Sequence, residues 1–193
     1  MNKKICLNQI TLAVLTSLLT YPVLAEDKSK GDFFDTEAKS LVVELKSSLL
    51  QNLSREISKN GTESAIPFCH TNVKSIAKDA AKEKIKKYEF GRTSHKIRNE
   101  KNSPEAWLLP YLEKFQGSFF DQTKVNEYPI IGQLPNGKRF YAEPLFVNAQ
   151  CLQCHGENLA KNVQEKIQVF YPKDKAIGFK LNEFRGLIWV KEK

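Results

Sequence analysis

Cys151-Leu152-Gln153-Cys154-His155 places two thiols one helical turn apart, with an imidazole directly after the second thiol. This Cys-x-x-Cys-His spacing is the attachment sequence of c-type haem, because the two thiols add to the two vinyl groups of one porphyrin. The adjacent imidazole of His155 then reaches the iron as the expected proximal ligand. A bare Cys-x-x-Cys is also typical of a redox disulfide or half a zinc site, but the following His and Gly156 favour haem. The sequence therefore predicts one covalently attached haem c.

The sixth position of the iron has few candidate ligands in this chain. Met1 is the only methionine and lies in a segment that we expect to be removed, which argues against a His/Met cytochrome. The remaining candidates are Cys69, His70 and His95, a rarer ligand such as Lys or Tyr, water, or no ligand at all. Cys69 falls on the apolar face of a predicted helix, whereas His70 is turned about 100° away from it. This geometry favours Cys69 for a buried iron, while His95 is the best candidate for bis-histidine ligation.

The N-terminus has the pattern of a secretory signal peptide. A basic start is followed by an apolar core over residues 10–19 and by the cleavage sequence Val23-Leu24-Ala25. We expect residues 1–25 to be cleaved, which leaves residues 26–193 as a single domain in the periplasm. The apolar run is shorter than the roughly 20 residues of a spanning helix, so we expect no stable membrane insertion after cleavage.

The cysteine count leaves one thiol unexplained by haem attachment. Cys6 leaves with the signal peptide, and Cys151 and Cys154 are committed to the haem, so Cys69 has no partner for an internal disulfide. Such a thiol in an exported protein is buried and inert, pairs between chains, or ligates a metal.

The chain is basic, with a net charge of +8 that falls to +6 once the two lysines of the signal peptide are removed. The positive residues are widely spread and lack the interleaved aromatic residues of a nucleic-acid-binding surface. We therefore expect no nucleic acid partner. Part of the charge can serve an acidic redox partner or the haem propionates.

Hydrophobic periodicity divides the chain into N-terminal helices and later strands. Apolar residues at spacings of three or four predict helices over residues 34–60 and about 63–84. Further along, the patterns predict a strand over 88–97, a short helix that opens with Ser103-Pro104 and runs to Phe115, a turn over 134–138, and strands over 139–147 and 186–190. This order predicts an α/β chain of the α+β type, with two long N-terminal helices and a mainly antiparallel sheet.

Several other side chains are candidates for the haem pocket. Arg92 and Arg98 lie in or next to the predicted strand and are candidates to hold haem propionates through charged hydrogen bonds. Tyr171, like Tyr141 and Trp189, has the size to pack on a porphyrin face. Each also has an ordinary alternative, as an exposed strand charge or a core aromatic residue.

Four stretches of the sequence resemble the haem-c-binding, PAS-like domain family, whose members occur in exported bacterial proteins and as sensory modules of signalling receptors. They are Ala65-Ile66-Pro67-Phe68-Cys69, residues 91–107, the motif over 151–156 and residues 171–179. The resemblance implies a PAS-like sheet flanked by helices, and an iron held by His155 and Cys69. The chain departs from the family pattern at His70, directly after that Cys, and at Glu100 and Lys101, where Pro and Ala are common. The first departure leaves a ligand swap open.

These expectations lead to three functional hypotheses. A thiolate ligand stabilises ferric iron and gives a low potential, which suits a redox or gas-responsive sensor that binds a diatomic gas and signals through a partner protein. The alternative is a periplasmic c-type cytochrome that carries electrons with bis-histidine ligation. An enzyme such as a peroxidase or reductase ranks last, because no paired acid/base arrangement is visible. The long first helix packs on its own domain or on a second copy, so both a monomer and a homodimer are compatible with the sequence.

Overall fold

The structure, a computed structural model, describes residues 28–193, with side chains from residue 33 onward. The predicted signal peptide over residues 1–25 lies outside the described residues. Within residues 28–193, no helix is both long and apolar enough to cross a membrane.

Two helices at the start of the described chain confirm the predicted N-terminal pair. Helix α1 spans Lys28–Asn60 and helix α2 spans Ala65–Ala81, and the two pack against each other. Gly61 ends α1, because its φ of 85° lies in the left-handed region that favours glycine, and its amide donates to the Ile57 carbonyl. Pro67 lies in the first turn of α2, where its missing N–H removes no helical hydrogen bond.

The strands form one antiparallel sheet. They are β1 (Tyr88–Thr93), β2 (Ile130–Gln133), β3 (Arg139–Phe146) and β4 (Phe184–Glu192). Their order in the sheet is β1-β4-β3-β2. The predicted turn over residues 134–138 joins β2 to β3 as a hairpin, with the Gly137 amide donating to the Leu134 carbonyl. The α+β class and the mainly antiparallel sheet are therefore confirmed, although strand β2 had not been predicted.

Three short α-helices follow β1 along the chain. They are α3 (Leu109–Phe115), α4 (Leu152–His155) and α5 (Lys161–Phe170). Helix α4 contains the last four residues of the Cys-x-x-Cys-His motif, so it places Cys154 and the candidate ligand His155.

The predicted strand over residues 88–97 is too long, because β1 ends at Thr93. The hydroxyl of Ser94 donates to the Arg185 carbonyl and accepts from the Lys96 amide. A side chain bonded to nearby backbone in this way competes with the strand ladder. As a result, His95 lies in a loop and not on a sheet face.

Two predicted helix boundaries are also wrong. The second helix ends at Ala81 instead of about residue 84, and a 3₁₀ turn over Lys82–Lys86 follows it. The short helix begins after a 3₁₀ turn over Ala106–Leu108, not at Ser103-Pro104. The reason is local, because the Ser103 hydroxyl bonds back to the Glu100 carbonyl and closes the preceding turn instead of capping the helix.

The sheet carries a packed helix on each face, and alternate strand residues face the two layers. Helix α1 buries its first half against one face, with Phe34, Ala38, Leu41, Val42 and Leu45 packed near Tyr88, Tyr141, Ile188 and Val190. Helix α3 and the turn before it cover the other face, with Leu108, Leu112 and Phe115 packed near Phe140, Phe184 and Leu187. Each fully buried large apolar side chain contributes about 1.5–3 kcal/mol. The second half of α1 takes no part in either cluster and is left to line the site.

Candidate functional site

A cavity of about 790 Å³ lies between the two N-terminal helices, the sheet and the Cys-x-x-Cys-His segment. Its size falls within the roughly 300–1,000 Å³ of small-molecule and cofactor sites. The helices give it an apolar wall, formed by Leu49, Leu53 and Ile57 of α1 and by Ile66, Val73 and Ile76 of α2. The apolar stripe of α1 therefore serves two purposes: its first half packs on the sheet and its second half faces the cavity.

The motif enters the cavity on a tight turn followed by helix α4. A 3₁₀ turn over Ala149–Cys151 starts at Asn148, whose side-chain oxygen accepts hydrogen bonds from the amide and the thiol of Cys151, both at 3.1 Å. Cys154 follows one turn later on α4. Both thiols line the cavity, so the spacing that the sequence predicted for two attachment bonds is present on one wall.

His155 is the last residue of α4, and its ring is oriented by a backbone carbonyl. Its Nδ1 atom lies 2.6 Å from the carbonyl oxygen of Ala176. A carbonyl oxygen only accepts, so Nδ1 carries the proton and Nε2 of the neutral ring keeps its lone pair. Burial, together with the charges of Arg185 and Arg98, holds the pKa of His155 well below its usual range. The residue is therefore a neutral imidazole, which is the form that binds a metal.

The segment that holds His155 is itself fixed by a buried ion pair. Arg98 forms an ion pair with Asp174 at 3.0 Å, and both side chains are nearly buried. The same guanidinium donates to the carbonyls of Cys154 at 2.6 Å and of Ala176 at 3.3 Å. Asp174 in turn accepts from the Ala176 amide at 2.8 Å. These bonds tie helix α4 to the turn that orients its histidine.

Cys69 faces the same cavity from helix α2. Burial raises the pKa of its thiol, and the charges of Arg92 and Arg98 oppose that rise. Burial also raises the pKa of Cys154, and the nearby Cys69 and Cys151 add to this effect. All three thiols are free cysteines. The cavity therefore collects three thiols and one neutral imidazole, contributed by two separate parts of the chain.

The other two histidines do not line this cavity. His70 is exposed, and its ring packs against Phe170 and Tyr171 at centroid distances of 5.5 and 5.1 Å. His95 is stacked on Phe184 at 5.8 Å and meets the edge of Phe179 at 5.9 Å. Neither ring therefore belongs to the wall on which the three thiols lie.

Three of the five candidate pocket residues line the cavity. They are Arg92, Arg98 and Tyr171. Tyr141 is buried instead, with its hydroxyl donating to Glu143, and Trp189 packs on Trp107 on the far side of the sheet. A porphyrin in this cavity would therefore contact Tyr171 but neither of the other two aromatic candidates.

Arg185 lines the cavity and was not among the residues that the sequence pointed to. Arg185 lies just before the strand that the pattern predicted over 186–190. A single charged residue next to an apolar run gives no indication that it lines a binding site. Burial, together with the charges of Arg92 and Arg98, lowers the pKa of Arg185 to about 9. Three arginines therefore converge on one cavity.

The residues present fit a porphyrin with two carboxylates. Two thiols stand at the attachment spacing, and one neutral imidazole and a third thiol supply nitrogen and sulfur donors. The Nε of Arg98 is buried and has no hydrogen-bond partner within the described part of the chain. An unpaired buried donor of this kind is costly unless a ligand satisfies it.

Comparison with known proteins gives two matches. The family model described as Tll0287-like, Tll0287, matches residues 28–192. The crystal structure of the cyanobacterial heme-protein Tll0287 is similar to this chain with a TM-score of 0.57 and 22% sequence identity, over 86% of this chain and 95% of that chain. At this identity the likeness shows the fold, and no curated protein gives a significant match. The family model covers nearly all of the described residues, and the chain therefore belongs to the Tll0287-like family.

Proposed function

We propose that this chain is an exported c-type haem protein that acts as a redox-responsive or gas-responsive sensor. Cys151 and Cys154 would hold the porphyrin through thioether bonds, and His155 and Cys69 would bind the iron. The bound group would supply a one-electron redox couple and a site for a diatomic gas. The protein's residues bind it, orient its proximal ligand and exclude water.

One observation carries this proposal: three thiols and one imidazole from separate elements face a single cavity of about 790 Å³. The hydrogen bond from His155 Nδ1 to the Ala176 carbonyl leaves the lone pair of Nε2 free to bind a metal. The chain is also similar in fold to a crystallised heme-protein, which supports haem as the bound group.

The sensor role is supported by the position of the third thiol. Cys69 belongs to helix α2, whereas His155 belongs to helix α4, and α2 also packs on α1 and α5. Burial raises the pKa of the Cys69 thiol, so a thiolate at this position depends on positive charge nearby. The charge of the iron would fall by one on reduction, which would weaken its bond to Cys69 and change the restraint on helix α2. A partner protein that contacts α1 or α2 can read that change.

The first experiment compares the wild type with Cys69→Ala after haem loading by a periplasmic maturation system. Absorption and electron paramagnetic resonance spectra are recorded in the ferric and ferrous forms. We expect low-spin thiolate features in the wild type and their loss in the variant. The control is His70→Ala, which removes the neighbouring side chain of the same helix without touching the cavity. Unchanged spectra in Cys69→Ala would contradict thiolate ligation.

Covalent attachment is tested separately by mass spectrometry of the denatured protein. We expect the wild type to gain the mass of one haem, and the double variant Cys151→Ala/Cys154→Ala to lose it. A sensor should also bind carbon monoxide in the ferrous form. Rapid electron exchange without any change of ligand on reduction would instead indicate an electron carrier.

A further inference from the structure

We propose that Arg185 is a positioning residue that neutralises a propionate of the bound porphyrin beside His155 and thereby sets the redox potential of the iron. This inference rests on the proposed haem-binding function. It concerns a side chain that is singled out by geometry, since neither the motif nor the family stretches contain it.

The backbone at Arg185 is built so that this side chain leaves the regular sheet. In the pairing of β3 with β4, Leu145 pairs with Gly186 and Phe146 with Phe184, so Arg185 has no partner on β3. An extra residue of this kind is a β-bulge, which re-aims a side chain. The carbonyl oxygen of Arg185 accepts a hydrogen bond from the Ser94 hydroxyl at 2.6 Å.

Gly186 completes this arrangement. A Cβ atom at this position would lie 2.1 Å from the carbonyl oxygen of Thr93, and the φ of 151° is one that other residues rarely adopt. The end of β1 can therefore approach the bulge only because residue 186 has no side chain. The close approach fixes the direction of the Arg185 side chain.

The guanidinium of Arg185 is held in place on two sides. Its Nη1 donates to the Lys96 carbonyl at 3.2 Å, and its central carbon lies 5.0 Å from the centre of the Phe179 ring. Phe179 also meets the His155 ring edge to face at 6.4 Å. Arg185 is thus anchored to the same aromatic residue that supports the candidate proximal ligand.

The charges around the cavity do not balance. Its lining carries five basic side chains, Lys39, Lys46, Arg92, Arg98 and Arg185, and one acidic side chain, Glu143. Lys46 pairs with Glu143 and Arg98 pairs with Asp174, but among the side chains described Lys39, Arg92 and Arg185 form no ion pair. Repulsion between Arg92 and Arg185 in a partly buried site is relieved by an anionic ligand. A haem brings two propionates, and so supplies negative charge of the kind that the cavity lacks.

The reduction potential follows from the same charge. Ferric iron carries one more positive charge than ferrous iron, so a nearby guanidinium favours reduction. Replacing Arg185 with Gln leaves a propionate unpaired beside the iron, which favours the ferric state. We expect the equilibrium constant for reduction by a one-electron donor to fall at least tenfold, a downward shift of about 59 mV.

The test compares haem-loaded wild type, Arg185→Gln, Arg185→Lys and the control Arg55→Gln, which removes an exposed arginine outside the cavity. Spectroelectrochemical titration gives the midpoint potentials, and haem content is measured per chain. We expect the Gln variant to have a lower potential, and the Lys and Arg55 variants to stay within a threefold change of the wild-type equilibrium constant. A wild-type potential in Arg185→Gln at full haem content would overturn this proposal alone. A wild type that takes up no haem would overturn the proposed function with it.

Because Arg185→Gln also removes the hydrogen bond to the Lys96 carbonyl, a second measurement uses the wild-type protein before haem attachment. Tryptophan fluorescence reports the binding of metal-free protoporphyrin and of its dimethyl ester, which lacks the two carboxylate charges. We expect the free acid to bind at least tenfold more tightly. Equal affinities would overturn the proposal, and no binding of either porphyrin would count against the haem function itself.

Discussion

The Nδ1 atom of His155 lies 2.6 Å from the carbonyl oxygen of Ala176. That carbonyl also accepts from Arg98, and the Ala176 amide donates to Asp174, so one residue joins the imidazole to the buried ion pair. A ligand histidine whose second nitrogen is bonded in this way has a fixed tautomer and a fixed ring direction. The ion pair is therefore part of the site, although neither of its members faces the proposed iron as a ligand.

We predict that Asp174→Ala destabilises the protein strongly. The side chains of Arg98 and Asp174 are only 12% and 7% exposed, and removing one partner leaves the other charge buried and unpaired. The expected loss in the free energy of unfolding is about 3–5 kcal/mol, measured by denaturant titration. The control is Lys173→Ala, because Lys173 pairs with Glu100 where the side chains are 72% and 63% exposed. That exposed pair should contribute no more than about 1 kcal/mol to the free energy of unfolding. If both variants lost the same free energy of unfolding, the prediction would be refuted.

A second prediction concerns Gly156, the residue after the haem motif. A Cβ atom there would lie 2.6 Å from the carbonyl oxygen of Leu152, so Gly156→Ala must shift the end of helix α4. Overpacking of this kind costs about 1–3 kcal/mol, and the shift also turns His155 away from its partner. We expect lower stability together with reduced haem content. Glu157→Ala, at the exposed next position, should match the wild type in both measurements.

The pH dependence of the haem-free protein gives a third prediction. Burial and the charges of Lys96 and Arg185 hold the pKa of His95 below its usual range, and its Nδ1 has no hydrogen-bond partner within the described residues. The unfolded chain then binds more protons than the folded chain, so stability is retained above the unfolded pKa and falls as the pH drops below about 6.5. His95→Gln should reduce that slope by up to about 1.4 kcal/mol per pH unit.

The control for this prediction is Ser58→Ala, which removes an exposed side chain that carries no titratable group and should leave the slope of stability against pH unchanged. Denaturant titrations at several pH values between about 5 and 7.5 measure the three slopes. If His95→Gln gives the same slope as the wild type and the control, the buried imidazole of His95 does not contribute to acid sensitivity.

Features that depend on neighbours in the sequence were predictable. The apolar spacing of α1 and α2, the hairpin turn before Arg139 and the grouping of Cys151, Cys154 and His155 follow from local patterns, and the structure contains each of them. The α+β class followed from the order of these elements.

Features that depend on distant contacts were not predictable. The end of β1 at Thr93 is set by a bond from Ser94 to Arg185, 91 residues away. Arg185 reaches the cavity through a bulge that exists only when β3 and β4 pair. The Ala176 carbonyl that orients His155 belongs to a loop without periodicity. No periodicity or motif in one stretch of sequence records such pairings, because each partner alone is an ordinary surface or turn residue.

The last prediction separates the two halves of helix α1. Leu41 is fully buried against the sheet, whereas Leu53, three turns later, lines the cavity. In the haem-free protein, Leu41→Ala should cost about 2–5 kcal/mol, because it leaves a void in a packed core. Leu53→Ala should cost much less there, since its side chain already borders empty space. After haem loading, the cost of Leu53→Ala should rise, because the side chain then packs on the porphyrin and its loss uncovers apolar surface. Thermal unfolding of both variants with and without haem measures this difference, and a Leu53→Ala cost that is the same in both forms would mean that the porphyrin does not lie against the second half of α1.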